Sequence, residues 1–382
     1  MWGHRCVIAA DTPYRRTAGR TGDPHTPFDA NTTPAKERTM PRPFRPWTPL
    51  FGALLAAAIA LSGCTAGKST ESSAAPDAAS GTSKGFPTTF TNAWGTATVP
   101  AAPRRVVTLG YADTAVAGAL GAHIVGAVKS YGSVSGETKD ENLPYTEPLD
   151  DSVTWLDPMN INTERIAALR PDLILASTAF TLDEPTYKRL STVAPVVAYE
   201  KQLYGADATE EALRIGRALG DEQGARKVLD TADRAVEKLK TDLPGLAGKT
   251  YLYGQARDGF AVMITEETNA TARFMNRLGL TPLPAVANLD GRGSVPGAVD
   301  VSYERAALYD RADVLFMTYQ SGALKEKFES NPVVSRLRIV TSDRYLPLGI
   351  EAATALQSPN AAAVPWLIGE LRATLATAAS AR

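Results

Sequence analysis

From Glu222 to Leu243 the chain reads EQGARKVLDTADRAVEKLKTDL, and its apolar residues recur at steps of three and four. Ala225, Val228, Leu229, Ala232, Ala235, Val236 and Leu239 fall on one stripe, while Lys, Arg, Asp and Glu take the other face. No Gly or Pro interrupts the stretch after Ala225. At the standard rise, roughly twenty helical residues span about 30 Å, the width of a small domain. Such a helix is a strut, and the chain on either side has to supply the bodies that it joins.

Those two bodies are related. Asn162-Thr-Glu-Arg-Ile-Ala-Ala-Leu-Arg-Pro-Asp-Leu-Ile-Leu before the helix is echoed after it by Ser302-Tyr-Glu-Arg-Ala-Ala-Leu-Tyr-Asp-Arg-Ala-Asp-Val-Leu-Phe, with a one-residue slip. Each copy predicts a capping residue (Asn162, Ser302), a Glu in the first helical turn (Glu164, Glu304), and an apolar strand opened by Asp172 or Asp313. An earlier pair, Ala119 to Val128 and Arg277 to Val286, reads twice as a helix ended by Gly and followed by a strand. Two echoes in one order predict an α/β fold of two Rossmann-like lobes joined by a single long backbone helix.

The N-terminus reads differently. Residues 1–39 are rich in Pro, Thr, Arg and Gly, have no apolar periodicity, and are expected to be an upstream extension with translation starting at Met40. Residues 40–63 then carry Arg42 and Arg45, an apolar run from Leu50 to Leu61, and Leu61-Ser62-Gly63-Cys64. The run is short of the about 20 residues that span a bilayer and suits a signal peptide. LSGC resembles the bacterial lipobox, which implies lipidation of Cys64 and a membrane-anchored chain on the extracytoplasmic face. Residues 64–85 are a Ser, Ala, Gly and Thr tether, so the expected folded parts are the lobe 86–220, the linking helix 221–243, and the lobe 244–382 with a closing helix.

Processing removes function classes. Of 2 Cys only Cys64 stays, and of 3 His only His123, so the folded body has no thiol nucleophile and one imidazole. Of the 40 basic and 41 acidic side chains, residues 1–63 hold 8 and 4, leaving 32 against 37, about −5. Such a balance gives nucleic acid nothing to bind. A direct metal site wants several His and carboxylates, so none is expected. No Ser stands three residues before Lys and a triad could recruit only His123, which disfavours a secreted hydrolase, and Asp150–Asp151 reads as a solvated turn.

Along the lobes, strands are expected at 106–109, 124–128, 173–175, 196–199, 250–253, 260–264, 283–287, 313–317 and 345–349, with an alternating β segment at 90–99. Ligands of open parallel sheets sit at the carboxyl ends of strands. The loops there hold Tyr111, Asp113, Tyr131, Trp155, Phe180, Tyr204, Gln255, Arg257, Asn288, Arg292 and Tyr319. Aromatic faces beside Arg suit a bulky ligand with apolar surface and carbonyl or anionic oxygens. Tyr111, Tyr131, Trp155, Arg257, Arg292 and Tyr319 are the candidate ligand-binding residues.

The lipobox, the string from Asn162 to Leu175, the single long helix and Asp313-Val-Leu-Phe together resemble the periplasmic-binding-protein family that delivers iron-siderophore and cobalamin-type ligands to ABC importers. The resemblance covers essentially the whole mature chain. It implies little hinge motion, a shallow cleft for a ferric chelate with hydroxamate favoured, no cofactor of the protein's own, and a monomeric receptor. It also implies docking of Glu164 and Glu304 on the ABC permease subunits. The polar segment 132–154 departs from that pattern, and no ligand residue carries onto it. Haem, cobalamin, or a ligand-sensing role without transport remain open on the same fold.

Overall fold

Asp221 starts the long helix by accepting the Gly224 amide at 2.8 Å, and the helix runs Glu222–Asp242. Ala225, Ala232, Val236 and Leu239 are buried, with Val228, Leu229 and Ala235 partly buried against the same core. The structure, a computed structural model, describes residues 85–289, 293–294 and 297–381, all inside one compact unit, Asp77–Arg382. Residues 1–84, with the signal peptide and Cys64, and also Arg292, lie outside the described residues.

Ahead of the first lobe is an antiparallel hairpin of β1 (Thr88–Asn92) and β2 (Gly95–Val99). The expected single segment at 90–99 is divided because Gly95 takes a φ of 146°, open to glycine alone at low cost. The first lobe holds β3 (Val106–Thr108), β4 (Ile124–Val128), β5 (Thr154–Leu156), β6 (Leu173–Ala176) and β7 (Val196–Ala198). They form a parallel sheet in the order β5-β4-β3-β6-β7.

The second lobe holds β8 (Thr250–Ala256), β9 (Phe260–Ile264), β10 (Thr281–Pro282), β11 (Ala298–Ser302), β12 (Val314–Thr318) and β13 (Tyr345–Pro347), in the order β11-β9-β8-β12-β13 with β10 also on β8. The repeat is legible in this topology. β3 lies between parallel β4 and β6 as β8 lies between parallel β10 and β12. Gly121 and Gly279 end the equivalent preceding helices with φ of 68° and 95°.

The copies differ where proline intervenes. The expected strand 283–287 is instead the two-residue β10 followed by a helix, Pro284–Ala287. Pro284 lacks an N–H for a ladder but fits the first turn of a helix, where that N–H has no partner anyway. β9 then folds back antiparallel along the outer half of β8, Gly254 to Ala256. Ser302 makes no side-chain cap, unlike Asn162, whose side chain accepts the Arg165 amide at 2.9 Å, and Tyr303–Arg311 is a 3₁₀ rather than an α-helix.

One apolar cluster includes Val106 and Leu173 of the first lobe, Tyr251, Val314 and Phe316 of the second, and Ala232 and Val236 of the long helix. The closing helix Val364–Ser380 buries Leu367, Leu371 and Leu375 in the same cluster, and Arg372 pairs with Asp242 at 2.8 Å. It packs back over both bodies as its apolar stripe predicts. Burial shared in this way stabilises the two lobes as one unit.

Candidate functional site

The carboxyl ends of the first lobe's strands are tied together by Asp113. Its buried carboxylate accepts the Ser177 amide at 2.9 Å, the Thr178 amide at 3.0 Å and the Thr178 hydroxyl at 3.2 Å. Burial raises its pKa, against the lowering by those bonds. Asp113 is therefore not a group offered to a ligand, as its loop position suggested, but the brace that joins the turn after β3 to the turn after β6. Gly110 lets the two turns meet, since a Cβ there would stand 2.2 Å from Thr178 Oγ1.

Braced this way, Tyr111 opens the helix Tyr111–Ala119 with its ring packed 6.3 Å from Phe180. It is 8% exposed, and its hydroxyl is buried with no hydrogen-bond partner among the described residues. Burial lifts its pKa far above the usual phenol range, and Glu351, Tyr145, Tyr204 and Tyr131 raise it further. The pKa of Tyr145 is likewise raised by burial, then by Glu351 and Glu211. Tyr204, in left-handed backbone at a φ of 59°, is pushed up to about 12 by burial and by Glu211. Four phenols and two carboxylates thus share one electrostatic neighbourhood.

That neighbourhood spans both lobes. Glu351 stands in the first turn of Ile350–Gln357, a helix of the second lobe, and its Oε1 accepts the Gly132 amide of the first lobe at 2.7 Å. Burial raises its pKa, with Glu137 and Asp140 adding to the shift and hydrogen bonds from the Gly132 amide and the Ser130 hydroxyl opposing it. Arg273 makes a second crossing, donating to the Gly205 and Ala206 carbonyls at 3.2 Å each. Beside this seam opens a cavity of about 820 Å³ lined in part by Tyr199, Tyr204, Glu211, Arg214 and Arg217. That volume suits a small-molecule ligand. Arg214 is engaged elsewhere, donating to Thr91 O, Asn92 Oδ1 and Ala198 O.

Of the candidates, Tyr111 and Tyr131 are brought together here. Trp155 is not at a loop: it lies within β5, paired with Ala127 and packed partly buried against the shared core. The β-prone run Val153-Thr154-Trp155-Leu156 extends the sheet edge by one strand and draws the ring inward. Gln255 likewise sits inside β8. Arg257 follows β8 on the other lobe, its carbonyl held by the Tyr303 hydroxyl at 2.7 Å. The Tyr319 hydroxyl is bonded to that of Tyr345, whose hydroxyl also reaches Glu329 at 2.8 Å. Glu164 and Glu304 are both exposed, each in the first turn of its helix, and neither forms an ion pair among the described residues.

Tyr145, Glu211 and Glu351 were missed. Tyr145 lies in the polar segment 132–154, which carries no periodicity. Glu211 did leave a signal, because it shares the buried face of Ala208–Leu219 with Ala212, Ile215 and Ala218, where a charge is out of place. Glu351 belongs to the helix Ile350–Gln357, hidden between the strand and the closing helix.

Two α/β lobes, crossed once by a rigid helix and meeting at a phenol-lined seam on the carboxyl side of the first lobe's sheet, define a solute receptor of the two-lobed binding-protein class. The chain matches the Periplasmic binding protein family over residues 106–345 and belongs to it. It is similar to the probable siderophore-binding lipoprotein YfiY of Bacillus subtilis, with 29% identity over 56% of this chain and 64% of that one. It is 24% identical to the ferric enterobactin-binding periplasmic protein FepB of Escherichia coli, over 70% of this chain and 85% of that one. A periplasmic solute binding protein from Mycobacterium smegmatis superposes with a TM-score of 0.63 at 26% identity, covering 76% of this chain and 98% of that one.

Proposed function

We propose that the protein is an extracytoplasmic, lipid-anchored receptor that binds a ferric siderophore, with a hydroxamate chelate favoured, and delivers it to an ABC import permease. The observation that carries the reading is the seam of Tyr111, Tyr131, Tyr145 and Tyr204 closed from the other lobe by Glu351. Phenol faces give a bulky chelate apolar contact, and their hydroxyls donate to its carbonyl and hydroxamate oxygens. The iron arrives already coordinated, so the protein needs to supply only outer contacts. The family and the siderophore-binding names of its relatives support the same reading.

Fluorescence titration of the purified protein with ferric hydroxamate, catecholate and citrate chelates, haem and cobalamin tests it. Trp366, 5.4 Å from Tyr145, is a better reporter than Trp155. Saturable quenching by a ferric hydroxamate, much weaker with the iron-free form, is expected. Quenching only by haem or cobalamin, or by nothing, overturns the chelate assignment.

The docking role of Glu164 and Glu304 is supported by their exposure and their matching places in the repeat. Charge reversal at both is expected to abolish uptake in cells while chelate binding persists. Unchanged uptake removes that role. The anchor rests on the LSGC string, and incorporation of labelled fatty acid that is lost on Cys64→Ala checks it.

A further inference from the structure

The cavity beside the seam has a buried acid in its wall. Glu211 lines it from the helix Ala208–Leu219 and is only 8% exposed. Among the described residues neither a hydrogen bond nor an ion pair reaches its carboxyl. An unpartnered buried carboxyl is costly, and its place on a cavity wall shows where a partner can enter.

The cations nearby are committed elsewhere. Arg214, one turn along the same helix, lines the same cavity, but it donates to Thr91 O, Asn92 Oδ1 and Ala198 O and stands over the Phe90 ring. Arg217 also stands over Phe90, and both it and Lys201 are exposed. The other charged groups of the wall, Glu200, Glu210 and Glu222, are acids. Burial, then Asp113 and Asp207, raise the pKa of Glu211 well above the usual carboxylate range. A neutral carboxylic acid has one O–H to give, so what Glu211 lacks is an acceptor.

The wall itself is braced from both lobes. Arg273 of the second lobe donates to the Gly205 and Ala206 carbonyls, and both residues line the cavity. Tyr204 just before them keeps left-handed backbone at a φ of 59°, which a residue other than glycine holds only where its surroundings fix it. Tyr204 belongs to the seam and lines the cavity, so a chelate seated on that phenol has Glu211 along the same wall.

We propose that Glu211 is a specificity-determining residue, an uncharged carboxylic acid that donates its single hydrogen to a carbonyl or hydroxamate oxygen of the chelate. This rests on the siderophore reading above and adds a requirement to it. The face of the ligand turned to the helix Ala208–Leu219 carries an acceptor oxygen, not an ammonium or an amide N–H.

The test is fluorescence titration of the full chain in detergent with a neutral ferric tris-hydroxamate, using wild type, Glu211→Met and Glu211→Gln. Met approximates the length of Glu without a donor, and affinity is expected to fall roughly tenfold. Gln brings an N–H to the same place and is expected to recover most of that loss. A loss with Gln as large as with Met marks a carboxylate that takes an ammonium, and no loss with Met marks a purely structural acid. Either result overturns the assignment and leaves the siderophore reading standing. Infrared difference spectroscopy of wild type with isotopically labelled glutamate gives a readout that needs no variant. Its protonated-carboxyl band is expected to move to lower frequency when the chelate is added, and an unmoved band overturns the assignment. Absence of chelate binding in the wild type overturns both.

Discussion

Glu351 Oε1 accepts the Gly132 amide at 2.7 Å, so a side chain of the second lobe closes on a bare backbone N–H of the first. The glycine is required for space: a Cβ at position 132 would lie 2.6 Å from that oxygen and 3.0 Å from Thr138 Cγ2. Gly132→Ala is expected to break the contact, at a cost of about 1–3 kcal/mol. Thermal unfolding checks it. A melting temperature within about 1 °C of wild type would show that the contact carries no net stability.

Arg273 holds the loop at 205–206 from the opposite lobe, with Thr268 O as a third acceptor. Its planar fork serves three carbonyls at once, which the single ammonium of Lys cannot copy. Arg273→Lys is expected to raise amide hydrogen exchange across 200–207 roughly tenfold while exchange in β3 stays as it was. Equal acceleration in β3 would mean global destabilisation instead.

Glu211 is 8% exposed, and burial raises its pKa well above that of a free Glu, followed by Asp113 and Asp207. The folded state then holds a proton that the unfolded state releases. Stability is expected to fall as pH climbs from the unfolded value through the raised native one. Glu211→Gln removes this dependence, so the gap in melting temperature between variant and wild type should widen from pH 5 to pH 8. A gap that is constant with pH would contradict the assignment.

Asp172 accepts the Arg104 and Arg105 amides at 2.8 Å each, and Asp313 accepts the Thr250 amide at 2.7 Å with the Thr250 hydroxyl at 2.9 Å. Each carboxylate fixes the start of the central strand of its own lobe, β3 or β8. Asp172→Ala and Asp313→Ala are each expected to cost about 1–3 kcal/mol in chemical denaturation. The sites share no partner, so their double variant should be additive within about 0.5 kcal/mol.

These aspartates also show how far the chain can be read without coordinates. The repeat that contains them predicts strand order, because a local echo of helix, Asp and apolar strand demands the same βαβ step in each half. The long helix, β4 and β9 were legible from periodicity alone. The strand expected at 283–287 was not, since Pro284 reads as a tolerated interruption until the helix it opens is seen. The site was legible only in part. Tyr111 and Tyr131 follow strand ends, but Glu351 and Tyr145 come to them through tertiary packing that no local pattern encodes. Trp155 shows the converse, a strand-end position that the sheet edge absorbed.

The closing helix contributes Leu367, Leu371, Leu375 and Ala378 to the cluster that also holds Val106 and Leu173, residues made more than half the chain earlier. The first lobe alone therefore presents an incomplete apolar face. Folding one lobe after the other would leave that face wet. Folding is then expected to be cooperative across both lobes, with the last helix of the chain needed before the first lobe is stable.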